Sequence, residues 1–248
     1  YLEFQKCLGD SADKNAINQA YQNESISTYN ISFADKYLPG TLAETYTASL
    51  IYFGCRQKKF EKEWLGLFDR FKEKYPESMA IPYLEPWVKP IKDYYESVKA
   101  DFTEQMKFVD NTDQINTLEQ CLAKMKGKKL YVDVWATWCI PCKDEFKHNE
   151  SLKAYLKPKG FEVLYISIDH EEKDRQWREM IKYYNLEGYH IRASEEFASD
   201  LRKILGDNGA LGVPHYLLVD EYGKIIDKNA ARPSSAKVIE IKLDKLGY

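Results

Sequence analysis

Cys139 and Cys142, separated by Ile140 and Pro141, are the residues best equipped for chemistry. A thiolate can act as both nucleophile and leaving group in exchange with a disulfide, and a second thiol three residues on can close a ring with the first. The run ahead of them, Tyr131-Val132-Asp133-Val134-Trp135, is apolar and β-branched, so a strand is predicted to end just before the pair and a helix to begin at it. At a helix start the positive end of the backbone dipole and the free N–H groups favour a thiolate. Cys139 is therefore expected to be the nucleophile on the solvent side, and Cys142, one turn inside, the resolving thiol. Zinc uses the same spacing, but tetrahedral zinc needs two more ligands. The four histidines are scattered with no second ligand pair, so no metal is expected.

The elements that must position the pair alternate between strand and helix. Short helical Leu118 to Met125 precedes the strand Leu130 to Trp135. A helix is predicted from about Cys139 to Leu156, stopped by Pro158-Lys159-Gly160. Phe161 to Ile168 is apolar nearly throughout, as a central parallel strand should be. A helix carrying Trp177, Ile181 and Tyr184, a short strand at His190 to Arg192 and a helix carrying Phe197, Leu201 and Leu205 follow. Strand Tyr216 to Val219 turns at Asp220-Glu221-Tyr222-Gly223 into Lys224 to Asp227, and a last helix spans about Ser235 to Leu246. This order predicts an α/β domain with a mixed sheet and helices on both faces.

The first 110 residues read as helices. Thr41-x-x-Glu44 is a capping-box candidate, with Leu42, Tyr46, Leu50 and Phe53 behind it at helical spacing. Phe60, Trp64, Leu67/Phe68, Phe71 and Tyr75 form a second stripe. Pro82, Pro86 and Pro90 are expected to exclude a helix until about Pro86, after which Ile91, Tyr94/Tyr95, Val98, Phe102 and Met106 mark a long one. The polar end Asp110-Asn111-Thr112-Asp113 sets the expected boundary: an all-α domain over 1–110 and an α/β domain over 111–248. The aromatic stripes read as plain core, with a partner-docking surface as the alternative.

A chain of 248 residues with 44% hydrophobic residues can build two cores, and its net charge of −3 leaves no basic face for nucleic acid. No run of 18 apolar residues exists to span a membrane. The chain starts at Tyr1 without a signal-like segment; an upstream targeting region or membrane tether is compatible with that start, so its lack does not argue for the cytosol. Cys7, Cys55 and Cys121 sit singly among apolar or helical neighbours. They read as small buried hydrophobes, with a Cys7–Cys55 disulfide as the alternative.

Val132 to Lys143 resembles the active-site signature of thioredoxin-fold oxidoreductases. Lys143 and Glu145 are similar to the pattern of the extracytoplasmic TlpA/ResA-like branch. Gly212-Val213-Pro214-His215 ahead of an apolar strand is a second match, and together the resemblance covers about 111–248. It implies that Pro214 is cis and faces the cysteines, that the Val213 backbone binds an extended substrate strand, and that Asp133 is the buried carboxyl serving the resolving thiol. It also implies that Glu145 tunes the pair. An Asp in an apolar strand is costly enough to favour function, whereas an exposed helix glutamate is an equal alternative for Glu145. Trp138 would cover the nucleophile. His215 would stabilise the thiolate or, equally, be satisfied by backbone. Two positions depart from the branch: Tyr165 stands where thioredoxins carry a lysine near the aspartate, and Lys147 where the branch has a helix-kinking proline, so a straighter helix is expected.

These features predict a thiol–disulfide oxidoreductase with no cofactor that reduces protein disulfides, drawing on an unidentified electron donor. The resemblance places it in the periplasm or membrane-anchored and facing it. A disulfide isomerase or oxidant, and an envelope scaffold with incidental thiols, are the alternatives. A peroxiredoxin-type loop is missing.

Overall fold

The computed structural model describes residues 26–110, 112–207 and 209–248. The chain divides into two compact units between Asp93 and Tyr94, upstream of the compositional boundary at residue 110.

The N-terminal unit is helical: α1 (Ile26–Tyr37), α2 (Gly40–Arg56), α3 (Glu63–Lys74) and α4 (Ala80–Ser97), the last running across the division. The expected capping box is not formed. Helix α2 begins at Gly40 with Pro39 at its N-cap and no side-chain cap, and Glu44 instead accepts from the Ser78 hydroxyl. Its buried face is also one residue out of phase with the expected stripe. Ala43, Thr47, Ile51 and Cys55 are buried, while Leu42 and Phe53 are exposed. The small residues set this rotation, because a Cβ on Gly54 would lie 2.1 Å from the Trp64 ring of α3. We expect Gly54→Ala to cost about 1–3 kcal/mol by overpacking, read as a lowered denaturant midpoint at unchanged slope.

Helix α4 runs unbroken through the three prolines, against expectation. Pro82 falls in the first turn, where an N–H has no intrahelical acceptor. Residues 82, 86 and 90 are four apart and share one face. Pro82 and Pro86 are exposed, so carbonyls left without a donor meet water, while Leu84, Val88 and Ile91 hold the buried face. The helix stops at Ser97, and Met106, expected at its end, lies in a strand instead.

That strand, β1 (Met106–Phe108), is the edge of a six-stranded sheet with β2 (Lys129–Trp135), β3 (Phe161–Ser167), β4 (Gly188–Arg192), β5 (His215–Val219) and β6 (Ile225–Asp227), in the order β1-β4-β3-β2-β5-β6. The first four are parallel and the last two antiparallel to their neighbours. Helices α5 (Leu118–Lys124) and α9 (Glu195–Leu205) pack on the face formed by Leu130, Val132, Val134, Ile166 and Ile191. On the opposite face lie α6 (Ile140–Glu145), α7 (Asn149–Leu156) and α8 (Asp174–Tyr183), reached through Phe146, Asn149 and Trp177; α10 (Ala236–Lys245) packs on α7. This is the mixed sheet with helices on both faces that the element order implied. Gly188 opens β4 at φ 147°, where a Cβ would stand 2.5 Å from the Val163 carbonyl.

The single long helix expected from Cys139 is divided, by a 3₁₀ turn at Phe146–His148. In such a turn residues three apart eclipse, so Phe146 and Asn149 both face Tyr165: the rings lie 6.3 Å apart, and the Asn149 amide donates to the tyrosine hydroxyl at 3.0 Å. No proline is needed for the break.

One register row on this helix-covered face joins Tyr216, Asp133, Tyr165 and His190 across β5, β2, β3 and β4. His190 is fully buried, stacks on Tyr165 at 5.0 Å and donates from Nε2 to the Leu186 carbonyl at 2.7 Å. Burial pushes its pKa down from 6.5 to about 4. Between those values the unfolded chain holds the extra proton, so this stability is fully present above pH 6.5 and is lost as pH falls towards 4. The contribution is on the order of 3 kcal/mol. We expect His190→Phe to flatten this acid limb in urea melts taken from pH 7 to pH 4.5.

Among the described residues no helix is long and apolar enough to cross a membrane. Cys55 and Cys121 are buried free thiols whose pKa values burial pushes up to about 12. Cys7, and with it any Cys7–Cys55 pairing, lies outside the described residues.

Candidate active site

Strand β2 delivers the chain to the C-terminal edge of the parallel sheet, where open α/β sheets place their ligands. Four residues on, Cys139 forms the N-cap of α6, with extended backbone and Pro141 in the first turn. Its sulfur accepts the Cys142 N–H at 3.1 Å and is bonded to Cys142 Sγ; the Cα atoms are 5.4 Å apart. The pair is thus a closed disulfide at a helix start. In the reduced state the same N–H would favour a Cys139 thiolate.

The open sulfur expected at Cys139 is corrected by its burial: Cys139 is 3% exposed and Cys142 wholly buried. The N-cap position folds Sγ back onto the first turn, and closing the ring seals it further. Of the two, only Cys139 keeps any exposed surface. Trp138, immediately before it, is 60% exposed and presents a large apolar surface at the rim.

Asp133 lies beneath the helix that carries Cys142, 1% exposed, with Oδ1 lacking a hydrogen-bond partner. Desolvation first, then the charge of Glu145, holds its pKa well above the usual carboxylate range. Tyr165 and Tyr216 flank it in register, Tyr131 stacks on Tyr216 at 5.5 Å, and the Tyr216 hydroxyl is likewise buried without a partner. Tyr165 therefore does stand beside the aspartate. Burial raises the Tyr165 and Tyr216 hydroxyl pKa values, with Asp133 the next cause.

Glu145 is not an exposed helix glutamate. Its side chain is buried, and its two oxygens accept the Ser234 N–H at 2.9 Å and the Ser234 hydroxyl at 3.1 Å, with Arg232 at 3.9 Å. Helix α6 is thereby pinned to the 3₁₀ turn Pro233–Ser235. The Val213–Pro214 peptide is cis. His215 follows as the first residue of β5, paired with Val134 of β2, and its Nε2 donates to the Lys228 carbonyl at 2.8 Å. Backbone thus satisfies this histidine, in line with the second of its two expected readings.

Sequence reasoning passed over Asp169 and Thr137. Asp169 follows β3 and is buried; its carboxylate accepts the Thr137 N–H at 2.8 Å, the Thr137 hydroxyl at 2.7 Å and the Ser167 hydroxyl at 2.7 Å. The signal was available, because Ser167-Ile168-Asp169 ends an apolar strand in the same costly way that Asp133 interrupts one.

A disulfide at a helix start, on the C-terminal edge of this mixed sheet and above a buried carboxyl, defines a thioredoxin-like redox protein. The redoxin family model matches residues 101–240, and the chain belongs to that family. It is similar to the thiol-disulfide oxidoreductase ResA of Bacillus thuringiensis (strain Al Hakam), at 29% identity over 107 residues, covering 43% of this chain and 57% of that protein. The thioredoxin-like protein YneN of Bacillus subtilis is 29% identical over 123 residues, covering 50% and 68%. A solution structure of a thiol-disulfide oxidoreductase from Bacteroides vulgatus aligns with a TM-score of 0.41 at 33% identity, over 51% of this chain and 78% of that one. The chain thus spans little more than half the length of the ResA proteins it matches.

Proposed function

We propose that the chain is a thiol–disulfide oxidoreductase that reduces protein disulfides outside the cytoplasm through Cys139 and Cys142. The observation that carries this reading is the closed disulfide whose nucleophilic sulfur caps a helix and accepts its N–H. Similarity to ResA supports the reaction class.

The cycle starts from the disulfide seen here. A donor dithiol reduces it, leaving two thiols and an oxidised donor. The Cys139 thiolate then attacks a substrate disulfide, forming one S–S bond and releasing one substrate thiolate. Asp133 in its carboxylate form takes the Cys142 proton, and Cys142 attacks Cys139 Sγ. The second substrate thiolate leaves, and the internal disulfide is restored. Two electrons and two protons pass from donor to substrate. Trp138 and the backbone at Val213–Pro214 would hold the substrate segment beside the accessible edge of Cys139, and Glu145 would fix the helix bearing the pair. His215 is tied to Lys228 and orients β5 rather than the thiolate.

Direction is set by potential. Equilibrating the protein with glutathione buffers and counting alkylated thiols should place the pair on the reducing side of about −200 mV. A value near that of strong oxidants, about −120 mV, would exclude a reductase and support an oxidant.

A further inference from the structure

The segment Ala136–Trp138 links β2 to α6 without regular structure of its own, yet it sets where Cys139 begins the helix. Two attachments bracket it. Cys139 N–H bonds the Ala136 carbonyl at 3.1 Å, and Thr137 is clasped by Asp169 through both its N–H and its hydroxyl. Between them Trp138 projects outward. The clasp extends into β3: the Ser167 hydroxyl donates to Asp169 Oδ2, the Asp169 N–H donates to Ser167 Oγ at 3.1 Å, and the Ile168 N–H reaches the Trp135 carbonyl at 3.0 Å. The ends of the two central parallel strands are thus locked together at the point from which the redox loop departs.

We infer that Asp169 is a positioning residue of the redox centre: a buried side chain that, through Thr137, fixes the Trp138–Cys139 turn in the geometry in which Cys139 attacks. This rests on the proposed oxidoreductase reading. Three observations carry it. Three hydrogen bonds converge on the carboxylate, from the Thr137 N–H, the Thr137 hydroxyl and the Ser167 hydroxyl, so both of its oxygens are held and the loop is tied to β3 through them. Thr137 is two residues from the nucleophile and is itself buried. Burying a polar side chain is costly, and apolar packing would serve stability as well, so geometry rather than stability is what Asp169 provides. Asp133 beneath the helix and Asp169 beside the loop then have different tasks, proton transfer in one case and aim in the other.

The test compares Asp169→Asn, Thr137→Val and Thr137→Ser in the whole protein. Insulin disulfide reduction is assayed alongside a pH profile of Cys139 alkylation by iodoacetamide in the reduced protein, and thermal melts check folding. For Asp169→Asn the expected result is a ten- to hundredfold fall in kcat/KM, taken mainly in kcat, since small misplacements of a reacting group have effects of about this size. The alkylation profile should shift with it. Thr137→Val should show a smaller loss of the same kind, and Thr137→Ser, which keeps the hydroxyl, should stay within twofold of wild type. Should Asp169→Asn fail to fold, the two Thr137 variants carry the comparison. Folded variants that reduce insulin and alkylate as wild type does would overturn the inference, as would a Thr137→Ser loss equal to that of Thr137→Val. Wild-type protein inactive towards disulfides would instead sink the oxidoreductase reading. The alkylation profiles would still decide the role of Asp169.

Discussion

Replacing Cys139 by serine is expected to lower insulin-disulfide reduction by roughly a thousandfold or more, to the level of the dithiol donor alone. The proposed cycle assigns the attack to this one sulfur. Cys142 has no exposed surface, and the remaining described thiols, Cys55 and Cys121, are buried with pKa values near 12, so almost none of either is thiolate at neutral pH. Serine keeps the N-cap, because its hydroxyl can accept the same Cys142 N–H, so the helix start should persist and the loss should be chemical. Equal turnover by the variant and wild type would show that the pair is not the catalyst and would favour the scaffold alternative.

The second large effect concerns Asp133. We expect Asp133→Asn to slow resolution of the mixed disulfide by about a hundredfold, since a positioned base is typically worth that much, and to remove the corresponding limb of the pH–rate profile. The same substitution should change stability in a definite direction. Asp133 has a folded-state pKa well above its unfolded value of 3.8. Its contribution is therefore fully present below that value and is lost as pH rises towards the raised one. The stability difference between Asp133→Asn and wild type should then move in the variant's favour from pH 5 to pH 9, measured in urea. This slope is opposite in sign to that of His190, so the two groups separate cleanly in single variants. A variant that resolves at the wild-type rate would remove Asp133 from the mechanism while leaving Cys139 in place.

The redox half of the chain was legible because its signals are local and of high contrast. Strand β2 is nearly all apolar, Cys139 and Cys142 have one productive arrangement at a helix start, and Gly160 and Gly223 mark turns at positive φ. What failed did so where tertiary context overrode a local rule. Three prolines read as breakers, yet their four-residue spacing collects their damage on the face that meets solvent, and α4 survives. The α2 stripe was read from large residues, but close packing of Trp64 on Gly54 selects the small ones. The edge strand β1 is three residues long and owes its existence to its pairing with β4, which no window around Met106 can show. The partners of Glu145 and Asp169 are distant in sequence, a serine 89 positions away for the first and a threonine 32 positions away for the second, so how each is held shows only in the fold.

The most direct measurement uses Cys142→Ser, reduced and then mixed with a disulfide substrate such as insulin, followed by peptide mapping of the non-reduced product. With no resolving thiol, the covalent intermediate should accumulate as a single mixed disulfide on Cys139, reversed by dithiothreitol and absent from Cys139→Ser. An adduct on Cys55 or Cys121, or no adduct while reduction proceeds, would contradict the assignment of Cys139 as the attacking sulfur.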